Sequence, residues 1–296
     1  MKGNAEMLYI GCPVWGYKEW VGNFFPTHTP QNAFLRLYSR KFNTVEGNTT
    51  FYATPDAETV ARWRGETPEG FRFCPKVSRS ISHLPGIGLQ ATRTETLAFT
   101  DHLRGLGNRL GPMFLQLPAT FSPQQLPALE TFLDFWPSDL QLAVEVRHSG
   151  FFAEPHEATL NELLRGHNAA RVIMDSRPIR LGSSEEKRIM EARERKPDVP
   201  VHIALTADFV LLRYIGNPSA AVNAPFLDTW ASYLAQWYRQ GITPYVFCHC
   251  PFTVHSPEIC TSLYQKVADL TPIPPIQLPS GKEDTALTGL EQARMF

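Results

Sequence analysis

The sequence predicts a single (β/α)₈ barrel, and three observations carry that expectation. Short apolar runs recur at intervals of 28 to 40 residues. That interval suits a β-loop-α-loop unit, because a parallel neighbour needs a crossover of a dozen or more residues. The runs are near-continuous in apolar character rather than alternating, as in a parallel sheet covered on both faces. The stretches between them carry helical periodicity and helix-start signals. A doubly wound open sheet is the competing architecture, but no Gly-x-Gly-x-x-Gly follows a strand.

Strands are expected at 8–13, 44–52, 72–78, 112–118, 142–148, 171–177, 209–216 and 244–250. After the second, Thr54-Pro55-Asp56 opens a helix with a proline near its first turn and acids where the helix dipole favours them. After the fourth, Ser122-Pro123 opens a helix with Leu126, Leu129, Phe132 and Leu133 at a 3–4 residue period. Pro225 to Gln240 puts Leu227, Trp230, Leu234 and Trp237 on one face and stops at Gly241. Ser256-Pro257-Glu258 starts the last helix, which ends before Pro272. Two pieces break the rhythm. The charged stretch 178–200 reads as an exposed excursion, and the tail reads as an extended strap or loose end because its prolines forbid helix. The expected domains are therefore a barrel over 1–271 and a Pro-rich extension over 272–296.

With 28 basic and 29 acidic side chains the net charge is −1, which excludes a globally basic nucleic-acid binder but not a local basic groove. The start lacks an apolar signal core, and no run approaches the about 18 apolar residues of a membrane span. Five cysteines in a chain this long are no secreted disulfide framework. A soluble, cytoplasmic protein with reduced thiols is expected.

Barrel sites lie at the C-terminal strand ends, where the βα loops converge. Here those ends turn polar: Glu46, Asn48 and Thr50 after the second strand, Lys76 with His83 beyond after the third, Gln116 after the fourth. Glu145 and Arg147 follow on the fifth, Asp175 on the sixth, Arg213 on the seventh and His249 on the eighth. Either these groups form an internal ion-pair network plugging the barrel, or they line one polar cup.

The runs VEGNTTFY (45–52), KVSRSISH (76–83), LGPMFLQLP (110–118), VEVRHSGFF (144–152) and the aspartate of VIMDSRP (172–178) resemble the YecE-like family, domain of unknown function 72. The resemblance covers residues 8 to about 270 and implies a (β/α)₈ barrel with no established activity. It points to Glu46, Asn48, Thr50, Tyr52, Lys76, His83, Gln116, Glu145, Arg147, Asp175 and Arg213 as site residues. The family's barrel is distantly like apurinic endonucleases and sugar isomerases, an analogy only. Three places depart from the family pattern: Cys12-Pro13-Val14 for Thr-Ser-Gly, Ile215 for a histidine, and Phe-Cys-His-Cys (247–250) for an aromatic, asparagine-rich strand end.

The preferred chemistry is an anion site. Lys76, Arg79, Arg147, Arg177 and Arg213 could ring the mouth, with Trp15, Tyr17, Trp20, Phe51, Tyr52, Phe151 and Phe152 to stack a base or sugar. The ligand would be a phosphate-bearing small molecule or nucleic acid. If a reaction occurs it is expected to be hydrolytic or lyase-like, with Glu46 or Glu145 as acid/base and Asp175 and Lys76 also candidates for the chemistry. Lys76 reads first as an ion-pair partner or anion contact, and second as a Schiff-base lysine.

A metal-dependent sugar isomerase is the alternative, with Glu145 and Asp175 on a divalent ion and Glu46 and His249 in reach. It is disfavoured by the lysine and arginines ending the same strands. Cys248 and Cys250 with His249 make only a zinc half-site, because His249 takes the opposite strand face. Finally, Gln292-Ala293-Arg294-Met295-Phe296 resembles the peptide that docks on the bacterial sliding clamp, so Gln292, Met295 and Phe296 could instead serve a non-catalytic adaptor.

Overall fold

The computed structural model describes residues 7–83, 88–181 and 186–276. Its parallel strands are β1 (Tyr9–Gly11), β2 (Thr44–Gly47), β3 (Arg72–Pro75), β4 (Met113–Gln116), β5 (Leu142–Glu145), β6 (Ala170–Arg171), β7 (Ile173–Asp175), β8 (Phe209–Ile215) and β9 (Thr243–His249). β6 and β7 are one strand interrupted at Val172, whose N–H still donates to Val144 at 2.9 Å. Hydrogen-bonded pairing runs β1-β9-β8-β7, β4-β5-β6 and β2-β3. Parallel bridges from Phe73 to Leu110 and from Lys76 to Phe114 join β3 to β4.

The ring closes at a seam held largely by side chains. Glu46 N–H donates to Cys12 C=O at 3.1 Å. Asn43 accepts from Ile10 N–H at 2.9 Å and donates to Leu8 C=O at 2.8 Å. The Tyr38 hydroxyl accepts from Cys12 N–H at 2.7 Å and donates to Thr44 C=O at 2.9 Å. Gly11 is obligatory here, since a Cβ at that position would lie 1.9 Å from the Thr44 carbonyl oxygen. The expected strands are all present, though several stop short: Asn48–Phe51 and Ser149–Phe152 turn into 3₁₀ helix.

The helices are α1 (Phe34–Lys41), α2 (Ala57–Glu66), α3 (Arg79–Ser82), α4 (Arg93–Arg104), α5 (Leu126–Phe135), α6 (His156–Gly166), α7 (Arg177–Arg180), α8 (Lys187–Arg195), α9 (Ala220–Arg239) and α10 (Ser256–Leu270). Asp56 caps α2 by accepting Thr59 N–H at 2.8 Å. α9 starts before Pro225 rather than at it. The proline removes one donor, but Leu227, Trp230, Leu234 and Trp237 still bury one face against the sheet.

Strand alternation sorts the core into two. Outward side chains pack under the helices. Inward ones, including Tyr9, Cys74, Phe114, Ala143, Val172, Leu211 and Phe247, fill the barrel as a dry interior. One step further toward the C-terminal ends, the inward positions become Glu46, Lys76, Gln116, Glu145, Arg213 and His249, all buried.

The described parts of the 178–200 stretch, 178–181 and 186–200, are less exposed than their charge suggests. Ala192 and Val199 pack on Met174, Ile179 and Ile215. Arg180 donates to Lys196 C=O at 2.9 Å and Arg193 to Ile179 C=O at 2.7 Å, folding the segment over one side of the barrel mouth. Beyond α10, residues 272–276 run along it as a strap. Tyr264 donates to Pro274 C=O at 2.8 Å and accepts Ile276 N–H at 3.2 Å. Gln292, Met295 and Phe296 lie outside the described residues. No helix among the described residues is long and apolar enough to cross a membrane.

Candidate functional site

The polar layer at the mouth has two parts. The first is built on β2, β5, β8 and β9. Arg213 donates through Nε and Nη2 to Glu46 (2.8 and 2.9 Å) and through Nη1 to Glu145 (2.5 Å). Glu46 also accepts from Asn48 at 2.7 Å and from His249 Nε2 at 3.0 Å. Glu145 accepts from Arg147 Nε at 2.6 Å. Every carboxylate oxygen is therefore engaged by the protein.

Burial works against both carboxylates. The Arg213 and His249 partners of Glu46 outweigh it and hold that carboxyl well below the usual range. For Glu145, Arg213 and Arg147 win and the pKa falls to about 2. Burial pushes His249 down to about 4, against the pull of Glu46, so its ring is neutral and Nε2–H is the donor.

The second part lies on β3, β4 and the end of β5. Gln116 Oε1 accepts from Lys76 Nζ at 3.0 Å and from Arg147 Nη2 at 2.7 Å. Two cationic donors fix the amide orientation, so Gln116 Nε2 faces away from them with no partner among the described residues. Arg147 Nη1 likewise has none. The Lys76 ammonium lies 3.9 Å from the Phe51 ring centre, with no carboxylate in ion-pair distance among the described residues. Burial first, then Arg213, brings its pKa down to about 8.

One group was missed from the sequence. Lys196, just past α8, has Arg213, Glu145, Glu46 and Arg147 of the mouth as its electrostatic neighbours. Burial and then Arg213 lower it to about 7. It too lacks a carboxylate in ion-pair distance among the described residues. The sequence offered no signal for it, because one lysine among many charges in 186–198 looks like part of a solvated face.

Other expected residues fall elsewhere. Asp175 points outward, not into the mouth: Val172 and Met174 take the inward positions. Its carboxylate accepts from Trp230 Nε1 on α9 at 2.8 Å and from Arg177 at 2.8 and 2.9 Å. It thus sits across the sheet from Glu145, and the two do not converge on one ion. Thr50 is buried, donating within 2.8 Å of Gly47 and Lys76 carbonyls, and so shapes the loop rather than lining the cup. Tyr52 is 80% exposed on the outer rim.

His83, lowered to about 4 by burial and by Lys76, stands at the rim with Ser82 on its Nδ1. There a groove of about 710 Å³ opens between the loops after β3 and β4, with Arg79, His83 and Phe121 on its walls. Of the aromatics, Trp20 and Phe151 are fully buried, and Trp15 packs edge-on to Trp63 and Phe73. They fill loops, leaving Phe51 against Lys76. Cys248 faces the helix layer, where Cys12 and Cys260 lie 3.8 Å apart, while His249 faces inward. No cluster of three or more His, Cys, Asp or Glu among the described residues is placed to hold a metal.

The family model described as protein of unknown function DUF72 matches residues 9–281. The chain belongs to the DUF72 family. It is 41% identical to the UPF0759 protein YecE of Escherichia coli K12 over 267 residues, covering 90% of this chain and 94% of that one. It is 28% identical to the UPF0759 protein YunF of Bacillus subtilis over 163 residues, 52% of this chain. Two DUF72 crystal structures share the fold. One from Enterococcus faecalis has a TM-score of 0.68 at 18% identity, covering 94% of this chain and 100% of that one. One from Thermotoga maritima has 0.65 at 21%, covering 89% and 98%. These DUF72 neighbours support the α/β barrel reached from the strand pairing.

Proposed function

We propose that the barrel mouth binds a small molecule bearing a phosphate or carboxylate, through Lys76, Gln116, Arg147 and Lys196. One observation carries this reading: donors outnumber acceptors on one side of the mouth. Gln116 Nε2, Arg147 Nη1 and the two lysines have hydrogens to give, and every oxygen of Glu46 and Glu145 is already taken. Charges tell the same story, with two carboxylates facing Arg213, Arg147, Lys76 and Lys196. A buried ammonium such as Lys76, held by a neutral amide rather than a carboxylate, is costly, and an anion with several oxygens lowers that cost.

Arg213 has a different role from the ligand contact expected of it. All three of its nitrogens donate to carboxylates, so its main part in this reading is to organise the layer. Glu46 and Glu145, ionised and saturated, act as counter-charges to Arg213 rather than as proton carriers. A nucleic acid is less well served, since the unspent donors suit one anionic group.

The test is thermal stability across a series of inorganic phosphate, carboxylates and sugar phosphates. A ligand specific for the folded state adds RT ln(1 + [L]/Kd), about 2.7 kcal/mol at a hundredfold Kd. The wild type should be stabilised by one or more of these anions, and Lys76→Met and Arg147→Leu should lose at least ten-fold in affinity, while Arg104→Leu on the outer surface keeps it. An equal response in all four proteins overturns the reading.

A further inference from the structure

An anion site does not require a lysine at the end of β3, where the Lys76 amine has no carboxylate in ion-pair distance among the described residues. Arginine would bind an oxyanion as well or better and would never lose its proton. The Lys76 main chain is locked at the end of β3. Its N–H donates to Gly47 C=O at 3.1 Å, and its C=O accepts the Thr50 hydroxyl at 2.6 Å. Its side chain is thereby aimed at the barrel axis. The ammonium meets a neutral amide oxygen at 3.0 Å and two rings, Phe51 at 3.9 Å and Phe114 at 6.0 Å from their centres. Burial first, then Arg213, lowers its pKa to about 8, against the pull of Glu145, Glu46 and the Phe51 face, so a sizeable share of the amine is uncharged and nucleophilic in mildly alkaline solution.

We propose that Lys76 forms an imine with the carbonyl carbon of a small oxo compound whose carboxylate or phosphate is held by Arg147 and Gln116. This rests on the anion-binding reading above and adds the reacting group. The Lys76 Nζ lone pair attacks the carbonyl carbon, and the C=O π pair moves to oxygen, which takes a proton. The nitrogen gives up one proton to reach the carbinolamine; the hydroxyl is then protonated and leaves as water as the nitrogen lone pair forms C=N, and the nitrogen gives up its second proton. One amine and one carbonyl become one imine and one water, with no oxidant or reductant needed.

The experiment is reductive trapping on the full chain at pH 8. Pyruvate and dihydroxyacetone phosphate are the anionic probes and acetone is the neutral control. Borohydride delivers hydride to the imine carbon and leaves a stable secondary amine, which peptide mass spectrometry locates. The expected result is one adduct per chain on Lys76 with an anionic probe, at least ten-fold above acetone. It should be absent in Lys76→Arg.

Adducts spread over surface lysines, or equal labelling with acetone, overturn the proposal. The mapping on wild type stands even if a variant fails to fold. Stabilisation by phosphate without an adduct leaves the anion site and removes the imine; loss of both removes both.

Discussion

The two halves of the mouth stand at the same level of one barrel and reach opposite electrostatic states. On β2, β8 and β9, Glu46, Arg213 and His249 satisfy one another, and Asn48 takes up what is left. On β3 and β4, Lys76 and Gln116 meet more donors than acceptors, and Arg147 and Lys196 add to the excess. The difference is that the carboxylates all sit on one half. A saturated buried network fixes geometry, because any departure leaves a charge uncompensated. A donor-rich neighbour, by contrast, is costly to keep until something fills it. The saturated half thus serves as the frame that positions the donor-rich half.

The largest effect should come from breaking the saturated half. Arg213→Met leaves two buried carboxylates facing each other and should lose about 3–5 kcal/mol, read from urea unfolding. A loss under about 1 kcal/mol would show that the network is not the frame. Asp175→Ala, on the outer face, strands Trp230 Nε1 and should cost about 1–3 kcal/mol while leaving phosphate-induced stabilisation unchanged. A lost phosphate response would place Asp175 in the functional site after all.

In the donor-rich half the sign reverses. Lys196→Met should gain on the order of 1 kcal/mol at pH 6, where the wild type carries an ammonium there. Folding depresses the pKa of Lys196 to about 7 and of Lys76 to about 8. Between those values and the unfolded lysine value of about 10.4, the unfolded chain binds more protons, so stability should rise with pH. His249 acts in the same sense lower down. Its pKa of about 4 against about 6.5 unfolded means stability is lost as pH falls from about 6.5 to 4, and His249→Phe should flatten that slope. The smallest effect belongs to Tyr52→Ala, exposed on the rim, which should stay within about 0.5 kcal/mol and leave phosphate affinity intact.

Much of this was legible beforehand. The strand rhythm located every strand, because a parallel barrel imposes its spacing on the chain. The polar strand ends pointed to Glu46, Lys76, Gln116, Glu145, Arg147, Arg213 and His249, which do converge. Asp175 was misplaced for a definite reason. Val172, Ile173 and Met174 are apolar on both faces, so nothing in the run says which side of the sheet the next residue takes. Tyr52 and Thr50 were misplaced because the chain leaves the strand at Gly47 and turns into 3₁₀ helix, ending the two-residue alternation.

By itself, then, the sequence determined the alternation of strands and helices, the length of each unit, and the end of the barrel at which charge collects. Those are local properties, written in hydrophobic period and in Gly, Pro and Asp punctuation. Only the tertiary structure decided which charges pair. Glu46 meets Arg213 across 167 positions of sequence. Lys196 reaches the mouth because Ala192 and Val199 find an apolar seat on Met174 and Ile215. Pairing depends on distances of a few ångströms between distant segments, and a Coulomb energy that falls with distance and burial has no counterpart in local pattern.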